Sequence, residues 1–101
     1  MDGFGRYADP ALVIMTSLAE GPKHGYAIIK DVQAMGGPKL GPGTLYGALE
    51  RLEQRGLVEA LPVEDRRRPY RLTAQGAEVL SVQLSHLQRV TSTGLVRLGL
   101  A

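Results

Sequence analysis

The stretch GPGTLYGALERLEQRGLV, residues 41–58, begins with two glycines that flank a proline and continues with helix-favouring sequence. The Gly-Pro-Gly opening predicts a helix that begins near Pro42, and Gly56 predicts its end. One face of this helix carries the apolar side chains of Leu45, Ala48, Leu49 and Leu52. The opposite face carries Gly43, Gly47, Glu50 and Gln54. This pattern predicts a helix that packs on one side and presents the other side outward.

Two further helices are predicted before this stretch. The first runs over residues 10–20, with Asp9 as its cap, and stops at Gly21-Pro22. The second runs over about residues 24–35, where apolar residues recur at helical spacing, and it stops at Gly36-Gly37-Pro38. Together with the helix from Pro42, these segments predict three consecutive helices joined by short turns.

A small β-hairpin is predicted after the third helix. Residues 57–63 and 69–73 alternate apolar and polar side chains, and the charged turn EDRRR lies between them. Pro62 and Pro69 would be costly in a central strand but are tolerated at an edge or a strand end. The hairpin is therefore predicted to be small and peripheral.

A last helix is predicted to begin near Thr73 and to run to Val90 or beyond. Three leucines at three- and four-residue spacing form an apolar seam on this helix, Leu80, Leu84 and Leu87. A seam of this kind predicts dimerisation through the last helix. Residues 91–94, with the sequence TSTG, weaken helix propensity and predict a break there.

The order helix, helix, helix, hairpin, helix predicts a winged helix-turn-helix, a mainly α fold with a small β-hairpin. The predicted organisation has three parts. Residues 1–9 form a flexible arm, in which Arg6 and Tyr7 leave a partner-binding role open. Residues 10–73 form the winged helix-turn-helix DNA-binding domain. Residues 74–101 form the dimerisation helix and a C-terminal tail.

The composition narrows the classes of protein to consider. A chain of 101 residues with 44% hydrophobic content predicts one domain. The absence of cysteine excludes disulfides and thiol chemistry, and it favours a cytoplasmic location. The longest apolar run, residues 11–19, is too short to cross a bilayer, so no membrane partner is expected. The net charge of +2 is only mildly basic, so attraction to DNA must come from clustered charge.

The charged turn of the hairpin is the clearest cluster. In a winged helix-turn-helix the third helix enters the major groove, and the hairpin tip approaches the backbone or the minor groove. Arg66, Arg67 and Arg68 are predicted to contact phosphates or a narrowed minor groove. The alternative is a solvated hairpin tip, in which Glu64 and Asp65 partly neutralise the arginines.

The first turn of the third helix is the second candidate contact. Thr44 and Tyr46 are predicted to bind phosphate or reach base edges, and Gly43 permits a close approach to the backbone. Alternatively, Thr44 caps the helix and Tyr46 packs its ring against the hairpin. Three other candidates for phosphate contact lie near helix ends that flank the groove, His24, Tyr26 and Lys39. Ordinary surface or capping roles are the alternative for these three.

Glu50 lies on the outward face of the third helix and is not assigned a DNA role. Phosphate repels its carboxylate. It fits a DNA interface only if it accepts from a cytosine amino group or pairs with Arg51 or Arg55.

No catalytic residue, metal ligand or cofactor is predicted. His24 and His86 lie in different segments, and neither an HExxH nor a GxSxG pattern occurs. The glycines of residues 41–47 lack the spacing of phosphate-binding loops. The sequence therefore does not predict an enzyme.

Three motifs carry a resemblance to a known family: HGYAIIKDV in the second helix, GPGTLYGALERLEQRGLV in the third, and RRRPYRLTAQG across the hairpin. Over about residues 10–80 the chain resembles the PadR family of bacterial transcriptional regulators, and its single C-terminal helix is similar to the short subgroup. The resemblance implies a homodimeric repressor released from DNA by a small aromatic or lipophilic effector. It also supports the recognition-helix, second-helix and hairpin residues named above as DNA contacts, and dimerisation by the last helix.

Two-fold symmetry would place two third helices about 34 Å apart on a near-palindromic operator in double-stranded DNA. Two features depart from the family pattern. Pro69 follows the arginines where a lysine or an aromatic residue is common, and no Trp is present to hold a planar ligand. The rival hypothesis is a winged-helix module that binds proteins, with the arginines docked on an acidic surface.

Overall fold

The structure is a computed structural model and describes residues 9–101. Its elements follow in the order α1 Pro10–Leu18, β1 Lys23–His24, α2 Gly25–Ala34, α3 Pro42–Gln54, β2 Val58–Ala60, β3 Pro69–Leu72 and α4 Ala74–Arg97. The predicted fold class, mainly α with a small β unit, is confirmed. The predicted N-terminal arm, with Arg6 and Tyr7, lies outside the described residues except for Asp9.

The helix ends follow local signals in the sequence. The Asp9 carboxylate accepts a hydrogen bond from the Ala11 amide at 2.9 Å, and Pro10 occupies the first turn of α1. Gly56 adopts φ +76° after α3, and the Leu57 amide donates to the Leu52 carbonyl at 3.0 Å. This is a Schellman ending, which requires a residue that tolerates positive φ. The predicted starts and stops of α1 and α3 hold within two residues.

The core is aliphatic and lies between the three first helices, the sheet and the start of α4. The predicted inner face of α3 is fully buried, because Leu45, Ala48, Leu49 and Leu52 are all at most 2% exposed. The other buried apolar residues are Ile14, Met15, Leu18, Ile28, Val32, Leu40, Leu57, Val58 and Leu80. The outward face predicted for α3 is therefore the face left to solvent.

The sheet has three antiparallel strands in the order β1-β3-β2, one more than predicted. Lys23 and His24, placed by the sequence in or beside the second helix, form β1 and pair with Tyr70 and Pro69 of β3. β3 is therefore the central strand, and the prediction of a purely peripheral hairpin is wrong. Pro69 is tolerated because it takes the first position of β3, as the strand-end option allowed.

The hairpin of β2 and β3, residues 58–72, is called the wing below. Near its tip, Glu64 and Arg67 exchange backbone hydrogen bonds of 2.7 and 2.8 Å. The two residues between them, Asp65 and Arg66, have φ +47° and +66°. Positive φ at both central positions is the geometry of a type I′ turn, whose twist matches that of paired strands. The tip is therefore a two-residue turn that holds Arg66 at its outermost point.

α4 is one continuous helix over Ala74–Arg97, so the predicted break at residues 91–94 is wrong. Weak propensities cost only fractions of a kcal/mol per residue, about 1 for glycine, and the helix continues on both sides. Leu80 is 4% exposed and belongs to the core, whereas Leu84 and Leu87 are each 40% exposed. The predicted seam is thus divided, and Leu80 has little surface left for a partner. The predicted boundary between the DNA-binding domain, which ends at residue 73, and the dimerisation helix, which begins at residue 74, lies within one packed unit, because Leu80 of α4 belongs to the core.

The junction between the wing and α4 is tight. The Thr73 hydroxyl donates to the Gly56 carbonyl at 2.7 Å and accepts from the Gly76 amide at 2.9 Å. A Cβ atom at Gly76 would lie 2.0 Å from the carbonyl oxygen of Leu57. The helix can approach the end of α3 and the start of β2 this closely only because residue 76 has no side chain.

Candidate nucleic-acid interface

A cleft of about 230 Å³ lies between the tip of the wing, the start of α2 and the first turn of α3. Its lining residues are His24, Gly25, Tyr26, Tyr46, Arg66, Arg67 and Arg68. Six of the nine predicted DNA-contact residues therefore line one concave surface, although they come from segments separated by up to 44 positions in the chain. The remaining three, Gly43, Thr44 and Lys39, do not line this cleft.

Tyr46 connects α3 to the start of α2. A Cβ atom placed on Gly25 would lie 2.3 Å from the Tyr46 hydroxyl oxygen and 2.8 Å from Cζ, so the phenol rests directly on the Gly25 backbone. Tyr46 nevertheless remains 49% exposed and lines the cleft. Gly25 was not predicted as a site residue, and its only signal in the sequence is its place between His24 and Tyr26.

Gly43 and Thr44 lie on the exposed start of α3. The N-cap of α3 is Gly41, and no side chain caps the helix. The alternative role of Thr44 as the cap is therefore wrong. An added Cβ at Gly43 would meet no atom within 4 Å, so the backbone here is open to close approach. Lys39 is exposed in the loop that precedes α3.

The three wing arginines have different surroundings. Arg67 Nη1 lies 3.1 Å from His24 Nε2, and Arg68 Nη1 donates to the Leu61 carbonyl at 2.9 Å. Arg66 occupies the left-handed position at the tip of the turn. Two of the guanidinium groups are thus oriented by the protein, whereas Arg66 extends into solvent.

The acidic residues of the turn do not form ion pairs with these arginines. Within residues 9–101, the ion pairs join Lys23 to Glu20 and Asp31, and Arg71 to Glu59. Glu64 and Asp65 still lower the local potential, since they line the neighbouring cleft with His24 and Arg67. Partial neutralisation of the arginines, as in the solvated-tip alternative, would therefore act through the local potential and not through ion pairs in this part of the chain.

Lys23 is a structural cation that the sequence did not single out. Its ammonium lies 2.6 Å from Glu20 Oε2 and 3.7 Å from Asp31 Oδ2, and it donates to the Ser17 carbonyl. The group is largely buried, with 13% of the side chain exposed. Lys23 therefore ties the end of α1 to β1 and α2, and its charge is satisfied within the protein.

Tyr70 lies in the central strand beside the cleft. Burial raises the pKa of its phenol above the ordinary value of 10.0, and the nearby groups Glu53 and Tyr46 raise it further, while Arg68 lowers it. All of the raising effects disfavour the phenolate. Tyr70 is consequently a neutral hydrogen-bonding group near neutral pH and does not add negative charge beside the arginines.

Glu50 is exposed on the outward face of α3. Among the described residues it forms no ion pair with Arg51 or Arg55, so the structure gives no support to that pairing. Its carboxylate is available to a ligand on this face.

A second surface lies on α4. A groove of about 250 Å³ separates α1 from α4, and apolar side chains of Leu12, Met15, Val79 and Leu87 contribute to its walls. Beyond the core, α4 exposes further large apolar side chains, Val82, Leu84, Val90, Leu95 and Val96, and Leu98 and Leu100 are exposed just after its end. No helix of the described residues is long and apolar enough to cross a membrane, and no group of three or more His, Asp or Glu side chains in residues 9–101 could hold a metal ion.

Three helices, a wing and an arginine tip beside the exposed side of α3 define the class of winged helix-turn-helix proteins. The model of the transcriptional regulator PadR-like family matches residues 14–82. The chain therefore belongs to the PadR-like family of transcriptional regulators, as its motifs predicted.

Solved structures agree with this assignment. A PadR family transcriptional regulator from Eggerthella lenta is 28% identical, with a TM-score of 0.70, and the match covers 95% of this chain and 85% of that one. A PadR family transcription regulator from Clostridium difficile, at 23% identity, shares the fold with a TM-score of 0.77 over 88% of this chain and 96% of that one.

A curated relative is much longer than this chain. An uncharacterized 37.1 kDa protein in transposon TN4556 of Streptomyces fradiae is 42% identical over 86 residues. The match covers 85% of this chain and 25% of that protein. The chain thus spans about a quarter of the length of this relative.

Proposed function

We propose that the chain is a sequence-specific DNA-binding transcriptional regulator that acts in the cytoplasm as a homodimeric repressor. The observation that carries this proposal is the convergence of Tyr46 and the wing residues Arg66, Arg67 and Arg68 on one cleft. Clustered arginines attract the phosphate backbone, and the exposed side of α3 is free to enter the major groove. Residues 10–73 would carry the DNA contact and residues 74–101 the dimer contact.

The remaining predicted contacts fit this arrangement at its edges. Tyr26 is exposed, and the Lys30 ammonium lies 5.5 Å from the centre of its ring. This cation–π contact holds a positive charge beside the cleft. Thr44, with Gly43 before it, lies at the start of α3, where backbone amides and a hydroxyl can contact phosphate. Lys39 would flank the same backbone.

The homodimer is proposed from the surface of α4. A helix of 24 residues extends about 36 Å, and its exposed large apolar side chains are unfavourable in water. Leu84 and Leu87 are the seam residues that keep exposed surface, so they would make the central contacts. Pairing of two such helices would present two α3 helices about one DNA turn apart on a near-palindromic operator.

A small aromatic or lipophilic effector is proposed to bind in the groove between α1 and α4. The groove has a volume of about 250 Å³ and mixed walls, in which the apolar side chains lie beside Asp9, Arg55 and Gln83. It therefore suits a small ligand with an apolar body and a polar group. Leu87 belongs both to the groove wall and to the proposed dimer seam. A ligand there would change the spacing of the two α3 helices, and unchanged operator affinity in its presence would refute the step.

The function is tested by fluorescence anisotropy with DNA from upstream of the gene, over a salt series from about 50 to about 200 mM. Replacement of Arg66, Arg67 and Arg68 by Ala should weaken binding and reduce the slope of log K against log salt by up to about 0.9 per lost phosphate contact. Replacement of Arg89 and Arg97 on α4 by Ala is the control for lost positive charge, and it should leave the slope unchanged.

Absence of DNA binding at low salt would refute the proposal. Binding of the protein to an acidic protein surface, abolished by the same wing variant, would instead support a winged-helix module for protein partners. The apolar surface of α4 is compatible with that second function.

A further inference from the structure

The imidazole of His24 contacts the guanidinium of Arg67 beside the candidate DNA interface. It is half-buried in β1, opposite Pro69, and its Nε2 atom lies 3.1 Å from Nη1 of Arg67. A guanidinium group has no acceptor, so Arg67 donates and His24 Nε2 accepts. This hydrogen bond therefore requires a neutral imidazole with its proton on Nδ1.

The charged and titratable groups around His24 come from three elements. The wing contributes Glu64, Asp65, Arg66, Arg67 and Arg68, α2 contributes Tyr26 and the Lys30 ammonium beside its ring, and α3 contributes Tyr46. The adjacent Lys23 directs its ammonium to Glu20 and Asp31, on the other side of β1. The wing thus places three guanidinium groups and the carboxylates of Glu64 and Asp65 near this imidazole, and all five groups are exposed.

We propose that DNA binding at the cleft is coupled to the uptake of a proton at His24. This inference rests on the proposed function and concerns the same surface. A backbone phosphate in the cleft supplies negative charge next to the Arg67 guanidinium and the protonated His24 imidazole, and it removes the repulsion between these two cations. His24 then takes a proton from solvent at Nε2, and the Arg67–His24 hydrogen bond is lost. Both side chains become donors to the phosphate.

The coupling makes DNA affinity depend on pH. Imidazole is the side chain that gains or loses a proton between about pH 5 and pH 8. Since the DNA complex binds one more proton per protomer than the free protein, affinity rises as the pH falls. The chain contains no cysteine and only two histidines, His24 and His86, so the contribution of each can be isolated.

The test measures the dissociation constant for the DNA from upstream of the gene by anisotropy at about pH 5.5, 6.5, 7.5 and 8.5, at constant ionic strength. We expect the affinity of the natural protein to fall across this range by roughly fivefold to tenfold per protomer, which is about 25-fold to 100-fold for a dimer on DNA. The variant His24→Gln keeps an acceptor for Arg67 but cannot take up a proton, so its affinity should vary by less than about twofold. The control variant His86→Gln should behave as the natural protein does.

Calorimetric titration in two buffers of different ionisation enthalpy counts the protons directly. We expect net proton uptake by the natural protein near neutral pH and almost none by His24→Gln. An equal pH dependence in His24→Gln and the natural protein, or proton release on binding, overturns the coupling. Absence of DNA binding at every pH overturns the proposed function instead, so the two failures are distinguishable. Thermal unfolding of each variant checks that the fold is retained.

Discussion

Replacement of Gly76 by Ala tests the most demanding contact in the structure. Gly76 lies in the first turn of α4, where helix propensity alone favours alanine by about 1 kcal/mol. The packing predicts the opposite result. An alanine Cβ would lie 2.0 Å from the Leu57 carbonyl oxygen and 2.9 Å from Leu72 Cδ1. The first contact is with backbone, which a side-chain rotation cannot relieve.

The expected cost follows from what must move. Separation of α4 from the Leu57 carbonyl strains or breaks the bonds at Thr73, whose amide donates to that carbonyl at 3.1 Å and whose hydroxyl accepts from the residue 76 amide. Overpacking costs about 1–3 kcal/mol, and a lost N-cap about 1 kcal/mol. After subtraction of the propensity gain of about 1 kcal/mol, Gly76→Ala should destabilise the protein by roughly 1–3 kcal/mol.

Gly94→Ala is the matched control in the same helix. An added Cβ at Gly94 meets no atom of the chain within 4 Å, so the propensity gain should be the main effect. Thermal unfolding followed by circular dichroism should show a lower midpoint for Gly76→Ala and a higher one for Gly94→Ala. Each kcal/mol corresponds to roughly 4–8 °C for a chain of this size. Protein concentration is held constant, and sedimentation compares the association state of the variants, because dimerisation shifts the midpoint.

A Gly76→Ala protein at least as stable as the natural protein would refute the tight packing of α4 on Leu57. A Gly94→Ala protein that loses stability together with dimer formation would show that Gly94 lies in the dimer interface.

Three other outcomes are expected. Thr73→Ala should lower the free energy of unfolding by about 1 kcal/mol, whereas Thr73→Ser should recover most of it, because the hydroxyl supplies the cap of α4. Ultraviolet absorbance titration should show a phenol with a pKa above the ordinary tyrosine value that is absent in Tyr70→Phe. The stability that this raised pKa provides is present below pH 10 and is lost as the pH rises through the folded-state pKa. Replacement of Leu84 and Leu87 by Glu should shift sedimentation from dimer to monomer while the core, which contains neither residue, stays folded.

The helices could be predicted because their signals are local. Asp9 and Pro10 open α1, and Gly56 closes α3, by bonds and dihedral angles within a few residues of the chain. The inner face of α3 was equally readable, since helical periodicity alone places its leucines together. The residues that line the cleft could be predicted from the winged helix-turn-helix order of the elements. The contacts that these residues make could not be predicted.

The third strand could not be predicted in this way. A segment of two residues is too short to show the alternating pattern of a strand. Lys23 and His24 become a strand only because β3 lies beside them. The same pairing makes β3 central and brings His24 to Arg67, which lies 43 positions away in the chain. Such contacts depend on how the elements pack and not on the sequence near either residue.

The sequence by itself determined the order of the elements, the ends of the helices and the family motifs, because these depend on short-range dihedral preferences and periodicity. Only the tertiary structure decided that Leu80 is core while Leu84 and Leu87 are surface. It also decided that Gly25 supports Tyr46 and that Gly76 admits the Leu57 carbonyl. These outcomes depend on the distance between elements that are remote in sequence, which no local pattern encodes.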